Sequence, residues 1–157
     1  MMKGVCLRYS KNEAEGEDLL QDSFIKAFKK LDTYNNQGAL GGWLRKLTLN
    51  TALEYYRKNK IETQTLTVVS EEVDPDISPI EKLELEDLVS KIQQLPLGFR
   101  TVFNLYAIEG YTHKEIGELL NISNGTSKSQ YSRAKKLLIK MIETESREEL
   151  NKLKYAK

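Results

Sequence analysis

Apolar residues recur at three- and four-residue steps along most of the chain, the spacing of helices that bury one face. Over residues 13–34 the stripe is Leu19, Leu20, Phe24, Ala27, Phe28 and Leu31, with polar residues opposite. Asn35-Asn36-Gln37-Gly38 ends it as a turn. A second helix is predicted over about 40–60, with Trp43, Leu44, Leu47, Leu49, Ala52, Leu53 and Tyr56 apolar and Arg45, Lys46, Arg57, Lys58 and Lys60 basic. From residue 61 to 79 the period fades. Thr63 to Val69 has β-type composition, and an acidic stretch holding two of the three prolines follows. With no neighbouring strand in view, a flexible linker is the preferred reading and a short strand the alternative.

Helical periodicity resumes near Pro79 and continues to Gln94. Leu95-Pro96 marks a boundary, with Pro96 expected in the first turn of the next helix. That helix carries Phe99, Val102, Phe103, Tyr106 and Ile108 and stops at Gly110. Thr112-His113-Lys114-Glu115 is a capping box, a threonine followed three residues later by a glutamate. It opens a short helix with Ile116, Leu119 and Leu120 inward. Asn121-Ile122-Ser123 then turns into a longer helix through Lys140 or beyond, whose inward face includes Tyr131, Ala134 and Leu138. A second capping-box match, Ser146-Arg147-Glu148-Glu149, predicts a last short helix with Leu150 and Leu153. The expected fold is all-α: two small helical domains joined by a flexible acidic linker, the second containing a helix-turn-helix. The boundaries are 1–60 for the first domain, 61–86 for the linker, 87–142 for the second domain and 143–157 for a C-terminal tail.

Charge sharpens this division. The net charge of the 157 residues is only +1. Residues 1–60 carry 11 basic and 7 acidic side chains, 61–88 carry 1 and 9, and 89–142 carry 8 and 3. Two basic blocks thus flank an acidic one, which suits two polyanion-binding modules on a linker as well as chance segregation on solvated faces. Mean hydropathy is −0.52, and no run approaches the roughly 20 apolar residues of a membrane span. The first residues lack the apolar core of a secretory signal, so no membrane insertion and a cytoplasmic location are expected. The single cysteine, Cys6, lies between Val5 and Leu7 and reads as a buried thiol. The single histidine, His113, has no partners at metal-ligand spacing. With no phosphate loop either, no cofactor, metal or catalytic constellation is expected.

The most informative segment spans residues 111–142. A capped short helix, a tight turn and a basic helix make the local pattern of a helix-turn-helix. The second helix opens with Asn124-Gly125-Thr126-Ser127, all small or polar, where free amides and the helix dipole favour an anion. Gly125 has no Cβ to hold a phosphate away. Lys128, Ser129, Gln130 and Arg133 are expected on the exposed side, where lysine and arginine can meet guanine or phosphate and glutamine can pair with adenine. Lys135, Lys136 and Lys140 extend the charge. An ordinary exposed basic helix is the bland alternative.

Here the sequence resembles a known family. Gly110-Tyr111-Thr112-His113-Lys114-Glu115-Ile116, then Asn124-Gly125-Thr126-Ser127-Lys128-Ser129-Gln130-Tyr131-Ser132-Arg133-Ala134-Lys135, resemble region 4 of the extracytoplasmic-function (ECF) sigma factors of the sigma-70 family. Leu95-Pro96 and Arg100-x-Val102-Phe103 fit its preceding helices. Asp18-Leu19-Leu20-Gln21-Asp22-Ser23-Phe24 resembles region 2.2. Gly42-Trp43-Leu44-Arg45-Lys46-Leu47, Asn50-Thr51-Ala52 and Tyr55-Tyr56-Arg57-Lys58 resemble regions 2.3 and 2.4. The likeness covers about 3–60 and 88–142. The first domain is expected to be short at its N-terminal end. Gly38-Ala39-Leu40-Gly41-Gly42 stands where the family often has Gly-Ser-Phe and is expected to be a mobile loop. Asn124 stands where the family often has glutamate, removing a negative charge from the recognition helix.

The resemblance implies an alternative sigma factor, not an enzyme, that binds core RNA polymerase through the β′ clamp and β flap and directs initiation at promoter DNA. It implies polymerase contacts at Asp18, Leu19, Gln21, Asp22 and Phe24. It implies −10 contacts at Trp43, Arg45, Lys46, Asn50, Tyr55, Arg57 and Lys58. Thr112, Gly125, Thr126, Lys128, Ser129, Gln130, Arg133 and Lys136 would meet the −35 element, and an anti-sigma factor would restrain the protein. Opening a duplex calls for cationic side chains beside aromatic ones on which unpaired bases stack, and the 43–58 segment has both. Trp43 and Tyr56 are nonetheless read as core anchors, and Tyr55 as either. A polymerase-independent helix-turn-helix regulator and an inactive sigma-like protein remain alternatives.

Overall fold

The computed structural model describes residues 1–35, 38–63 and 85–155, with side chains described outside 60–63, 85–86 and 148–155. Most of the acidic segment and nearly all of the candidate strand at 63–69 therefore lie outside the described residues. Within them the chain is helical: α1 (Met2–Tyr9), α2 (Glu13–Lys29), α3 (Leu40–Thr63), α4 (Leu85–Gln94), α5 (Leu97–Phe103), α6 (His113–Leu120) and α7 (Asn124–Tyr155).

Asn12 starts α2, its side-chain oxygen accepting the Glu15 amide at 2.9 Å. The helix ends at Lys29, and Leu31–Thr33 form a 3₁₀ turn where a continuous helix to residue 34 was expected. Leu19, Ser23 and Ala27, four residues apart, form the buried line of α2. Phe24 and Phe28 sit more than a quarter of a turn from the middle of that line, and Leu31 lies past the helix end in the 3₁₀ turn; they are 45%, 75% and 50% exposed, so half of the predicted stripe faces solvent.

The glycine-rich stretch before Trp43 is partly helical. Leu40, Gly41 and Gly42 form the first turn of α3, with the amides of Gly42 and Trp43 donating to the Ala39 carbonyl. Further on, Leu47, Leu49, Ala52, Leu53 and Tyr56 turn inward.

In the second half Pro96 precedes α5 as its N-cap, one residue earlier than predicted. After α5 the helix widens into a π turn over Asn104–Ile108, and Gly110, at φ 80°, ends it. Thr112 and Glu115 form both halves of the predicted capping box at the start of α6. A second glycine is required by packing: a Cβ at Gly117 would lie 2.9 Å from the Ile122 carbonyl oxygen. Ser123 caps α7 by accepting the Thr126 amide at 2.9 Å. No separate C-terminal helix begins at Ser146. Helix α7 continues through it to Tyr155, and the Ser146 hydroxyl bonds back to the Ile142 carbonyl at 3.0 Å as a mid-helix serine does.

The two halves share one apolar cluster. Val5, Cys6, Tyr9, Leu49, Ala52, Leu53 and Tyr56 are continuous with Val102, Leu105, Ile116 and Leu120. A second cluster, Ile92, Leu95, Ala134 and Leu138, joins α4 to α7, and the Lys91–Glu145 ion pair closes its edge. A polar seam runs beside the shared cluster. Glu109 accepts from Arg8 at 3.2 Å and from Arg45 at 2.8 Å; Asn104 donates to the Arg8 carbonyl at 2.7 Å and Gln93 to the Leu7 carbonyl at 3.0 Å. Within the same region Arg8 Nε, Tyr9 OH, Arg100 Nε and Asn104 Oδ1 are buried without a protein partner.

Gly117→Ala tests the tight α6–α7 turn. Its methyl group would collide with main chain, so a loss of about 1–3 kcal/mol is expected in thermal or urea unfolding. Unchanged stability would show that the turn has room to relax.

Candidate nucleic-acid interface

Helices α6 and α7 meet as a helix-turn-helix, with Ile116 and Leu120 of α6 and Ala134 of α7 buried and Ile122 and Tyr131 partly buried. An aromatic stack locks the pair. The His113 ring lies 4.2 Å from Tyr106 at an 8° interplanar angle, and Tyr131 packs 4.5 Å from Tyr106. His113 Nδ1 also lies 3.0 Å from the hydroxyl of Ser127, which is fully buried. Ser127 therefore turns inward, whereas the rest of the first turn of α7 is open. Burial, with Lys128 close by, holds the His113 pKa below its ordinary 6.5.

The outer surface of this unit matches the sequence prediction in part. Gly125, Thr126, Lys128, Ser129 and Lys136 are exposed, and Arg133 is half-buried. A Cβ on Gly125 would meet only Ser123 Oγ at 3.7 Å, so internal packing does not demand glycine there. Thr112 is exposed, but its hydroxyl is held 2.7 Å from the Glu115 carboxylate in the capping box. Those bonds hold Glu115 below the ordinary carboxylate range. Gln130 departs from expectation. Its amide lies against α5, where a Cβ on Gly98 would stand 3.3 Å from Nε2, and its Oε1 is buried without a partner. Gln130 follows the inward Ser127 by three residues and so shares its side of the helix.

The first half presents a second cationic surface. Trp43, Lys46 and Asn50 line a groove on α3 with Lys26, Lys30 and Glu54. Trp43 is half-exposed and packs on Tyr34 at 5.6 Å, so it is no core anchor, whereas Tyr56 is 3% exposed and is one. Tyr55 is half-buried against the shared cluster, with its side chain hydrogen-bonded to Glu15. Lys58 and Arg57 are exposed, and Arg57 also donates to the Leu119 carbonyl at 3.0 Å. Arg45 is paired with Glu109 across the seam.

On α2, Asp18, Gln21, Asp22 and Phe24 are exposed, while Leu19, predicted with them, is 5% exposed and belongs to the core. It lies four residues before Ser23 on the buried line of the helix. Two arrangements had escaped the sequence reading, the His113–Ser127 contact and the Arg8–Glu109–Arg45 bridge. Their partners lie 14 to 101 positions apart, and no local spacing signals them. Among the described residues no group of His, Cys, Asp or Glu is placed to hold a metal ion, and no helix is long and apolar enough to cross a membrane.

An exposed polar turn at the head of a basic helix, set in a helix-turn-helix and accompanied by a second cationic helical half, defines a DNA-binding transcription protein. Comparison with known proteins narrows the class. The family described as Sigma-70 region 2 matches residues 1–61, and Sigma-70, region 4 matches residues 85–138. The chain is 32% identical to the ECF RNA polymerase sigma factor SigW of Bacillus subtilis over 151 residues, covering 88% of this chain and 81% of that protein. It is 28% identical to the ECF RNA polymerase sigma-E factor of Haemophilus influenzae, covering 86% and 78%. The sigma factor RpoE of Bartonella quintana, solved in complex with the anti-sigma factor NepR, shares the fold with a TM-score of 0.55 and 24% identity over 90% of this chain and 89% of that one. The chain belongs to the ECF RNA polymerase sigma factors.

The lone histidine makes the α6–α7 lock measurable. Folding lowers the His113 pKa, so the unfolded chain binds the proton more readily. Stability from this site is whole above pH 6.5 and falls as pH drops through 6.5 toward the folded value. The NMR titration midpoint of its ring proton is expected below 6.5 and should rise in Lys128→Ala. A midpoint at or above 6.5 in the wild type would contradict the packing described.

Proposed function

We propose that this protein binds core RNA polymerase and directs it to promoters, with residues 1–60 serving the −10 element and polymerase and residues 87–142 the −35 element. The observation that carries this reading is the pairing, in one chain, of the two sigma-70 regions with two separate cationic surfaces. Its work is binding and positioning, not catalysis, and its place is the cytosol, where the polymerase acts.

On α7, Lys128, Ser129 and Thr126, with Gly125 and the helix N-terminus, meet the phosphates and base edges of the −35 duplex, and Arg133 and Lys136 extend the contact. Thr112 serves by shaping the turn, and Gln130 by packing. On α3, Trp43, Lys46 and Asn50 form a basic, aromatic groove suited to an unpaired −10 strand, continued by Tyr55, Arg57, Lys58 and Arg45. Asp18, Gln21, Asp22 and Phe24 offer the polymerase β′ clamp an acidic surface with one aromatic at its edge, and Leu19 supports them from the core. The second half also meets the β flap, and the acidic 61–86 segment follows basic channels of the polymerase. An anti-sigma protein restrains the factor; the complex of RpoE with NepR, built on the same fold, supports that reading.

Run-off transcription with core polymerase and a promoter library tests the proposal. Selective initiation at a recurring pair of −35 and −10 sequences is expected. Sequence-specific duplex binding with no affinity for core polymerase would replace it with a polymerase-independent regulator.

The division of labour has its own test. Lys128→Ala should weaken −35 duplex binding across sequences and reduce the salt slope by about 1, whereas Arg133→Ala should cost roughly 1–3 kcal/mol if its guanidinium reads a base. Asp18→Ala should lower polymerase affinity and leave duplex affinity alone. The reverse pattern in gel-shift and polymerase pull-down assays would reassign both faces.

A further inference from the structure

We propose that Glu54 of α3 is a specificity-determining residue of the −10 groove: it holds Lys26 in an ion pair and bars backbone phosphate from the wall the two side chains form, which leaves that part of the groove to bases. The proposal rests on the promoter-recognition reading above and concerns two side chains to which that reading gives no role.

The groove beside Trp43 and Asn50 is lined by Lys26, Lys30 and Lys46, and among the described residues that line it Glu54 alone is acidic. A carboxylate in a groove suited to a polyanion opposes the binding that the lysines favour. It stays charged. Its hydrogen bond to Lys26, with the charges of Lys26, Lys30 and Lys58 in support, outweighs burial and holds its carboxyl below the ordinary range. Glu54 Oε2 meets Lys26 Nζ at 2.5 Å, joining α3 to α2. Stability is a weak reason for the pair. The Glu54 and Lys26 side chains are 49% and 32% exposed, and ion pairs open to water contribute little to folding.

The position of the pair gives a stronger reason. A second groove opens between α2 and α3, lined by Glu15, Asp18, Asp22, Tyr55 and Lys58. Lys26, Thr51 and Glu54 are the residues the two grooves share. Thr51 is 3% exposed and its hydroxyl donates to the Leu47 carbonyl at 3.0 Å, so the reachable part of the wall is the ion pair. One side of this wall is rich in lysine, and the other holds the carboxylates offered to polymerase. Without the Glu54 charge, Lys26 would join Lys30, one turn along α2, and Lys46 of α3. Three lysines together would hold a phosphate whatever base it carried. With Glu54 in place, a phosphate at Lys26 would lie against a carboxylate, and that juxtaposition weakens binding in that register alone. Bases carry no charge and escape the penalty. Discrimination is gained here by weakening the wrong register, not by strengthening the right one.

The test uses the full chain assembled with core polymerase and two labelled non-template single strands, the −10 sequence recovered from the promoter library and a scrambled copy. Fluorescence anisotropy reads the affinities, with core polymerase alone as the blank. Glu54→Gln should tighten the scrambled strand roughly fivefold, the scale of one charge-assisted contact partly open to water. The recovered sequence should tighten by less than about twofold. The salt dependence of the scrambled strand should steepen by about 0.7 in log–log slope, the value for one more phosphate on a single strand. Adding Lys26→Gln to Glu54→Gln should return the scrambled strand to within about twofold of wild type, because Lys26 makes the gained contact. Glu54→Asp keeps the charge and should keep the scrambled strand out. Glu54→Ala should follow Glu54→Gln, which covers a Gln variant that fails to fold by circular dichroism. An unchanged scrambled-strand affinity in the Gln and Ala variants overturns the proposal. So does an equal gain for both strands, or a gain that survives the loss of Lys26. Wild-type complex that prefers neither strand strikes instead at the −10 reading beneath the proposal, and the proposal falls with it.

Discussion

Glu109 carries a negative charge into a place where its side chain is 5% exposed, and the two guanidiniums that receive it come from α1 and α3 of the other half. Charge buried to this degree is costly unless compensated, so the position of Glu109 constrains everything near it. It joins the stretch after the π turn to α1 beside the apolar residues of both halves, Val5 and Tyr9 with Val102 and Leu105. It also decides which basic side chains of α3 are free. Lys46 and Lys58 are exposed, while Arg45, partly exposed, is held in the ion pair with Glu109. One carboxylate thus ties the π turn to α1 and α3 and engages Arg45 of the first cationic face.

The second cationic face is built by a different means. Helix α7 is aimed by contacts behind it: Gly117 lets the turn close, Ser123 caps the helix, and the His113, Tyr106, Tyr131 and Ser127 group pins α6 to it. They leave Gly125, Thr126, Lys128 and Ser129 exposed at a helix N-terminus, where amide dipoles and lysine charge both favour an anion. A rigid mount of this kind puts the recognition surface on helices fixed from within.

Much of this was legible in the sequence because it is local. The Thr112–Glu115 capping box, the stop at Gly110 and the start of α3 at Leu40 follow from patterns within a few residues, and the structure has each. The departures come from information that a local pattern does not hold. The Ser146–Glu149 motif matches a cap, but a serine can also sit mid-helix by bonding back to the preceding turn, as Ser146 does with Ile142. Periodicity placed Phe24 and Phe28 with Leu19 and Ala27, yet only packing by α1 and α3 selects the buried half of so wide a stripe. Gln130 turned inward because Gly98, 32 positions earlier, leaves a space for its amide. The family motifs identified both promoter-facing halves, but the bridge between them joins residues 64 and 101 positions apart and leaves no local trace.

That one chain reads two separated DNA elements, and does so together with polymerase, is open to direct test. Footprinting of a cognate promoter, with and without core polymerase, tests that claim most directly. Protection of the −35 and −10 segments together, with permanganate-reactive thymines near −10, is the predicted result in the presence of polymerase, and at most weak −35 protection in its absence. Equal protection of a single duplex site whether or not polymerase is present would contradict it.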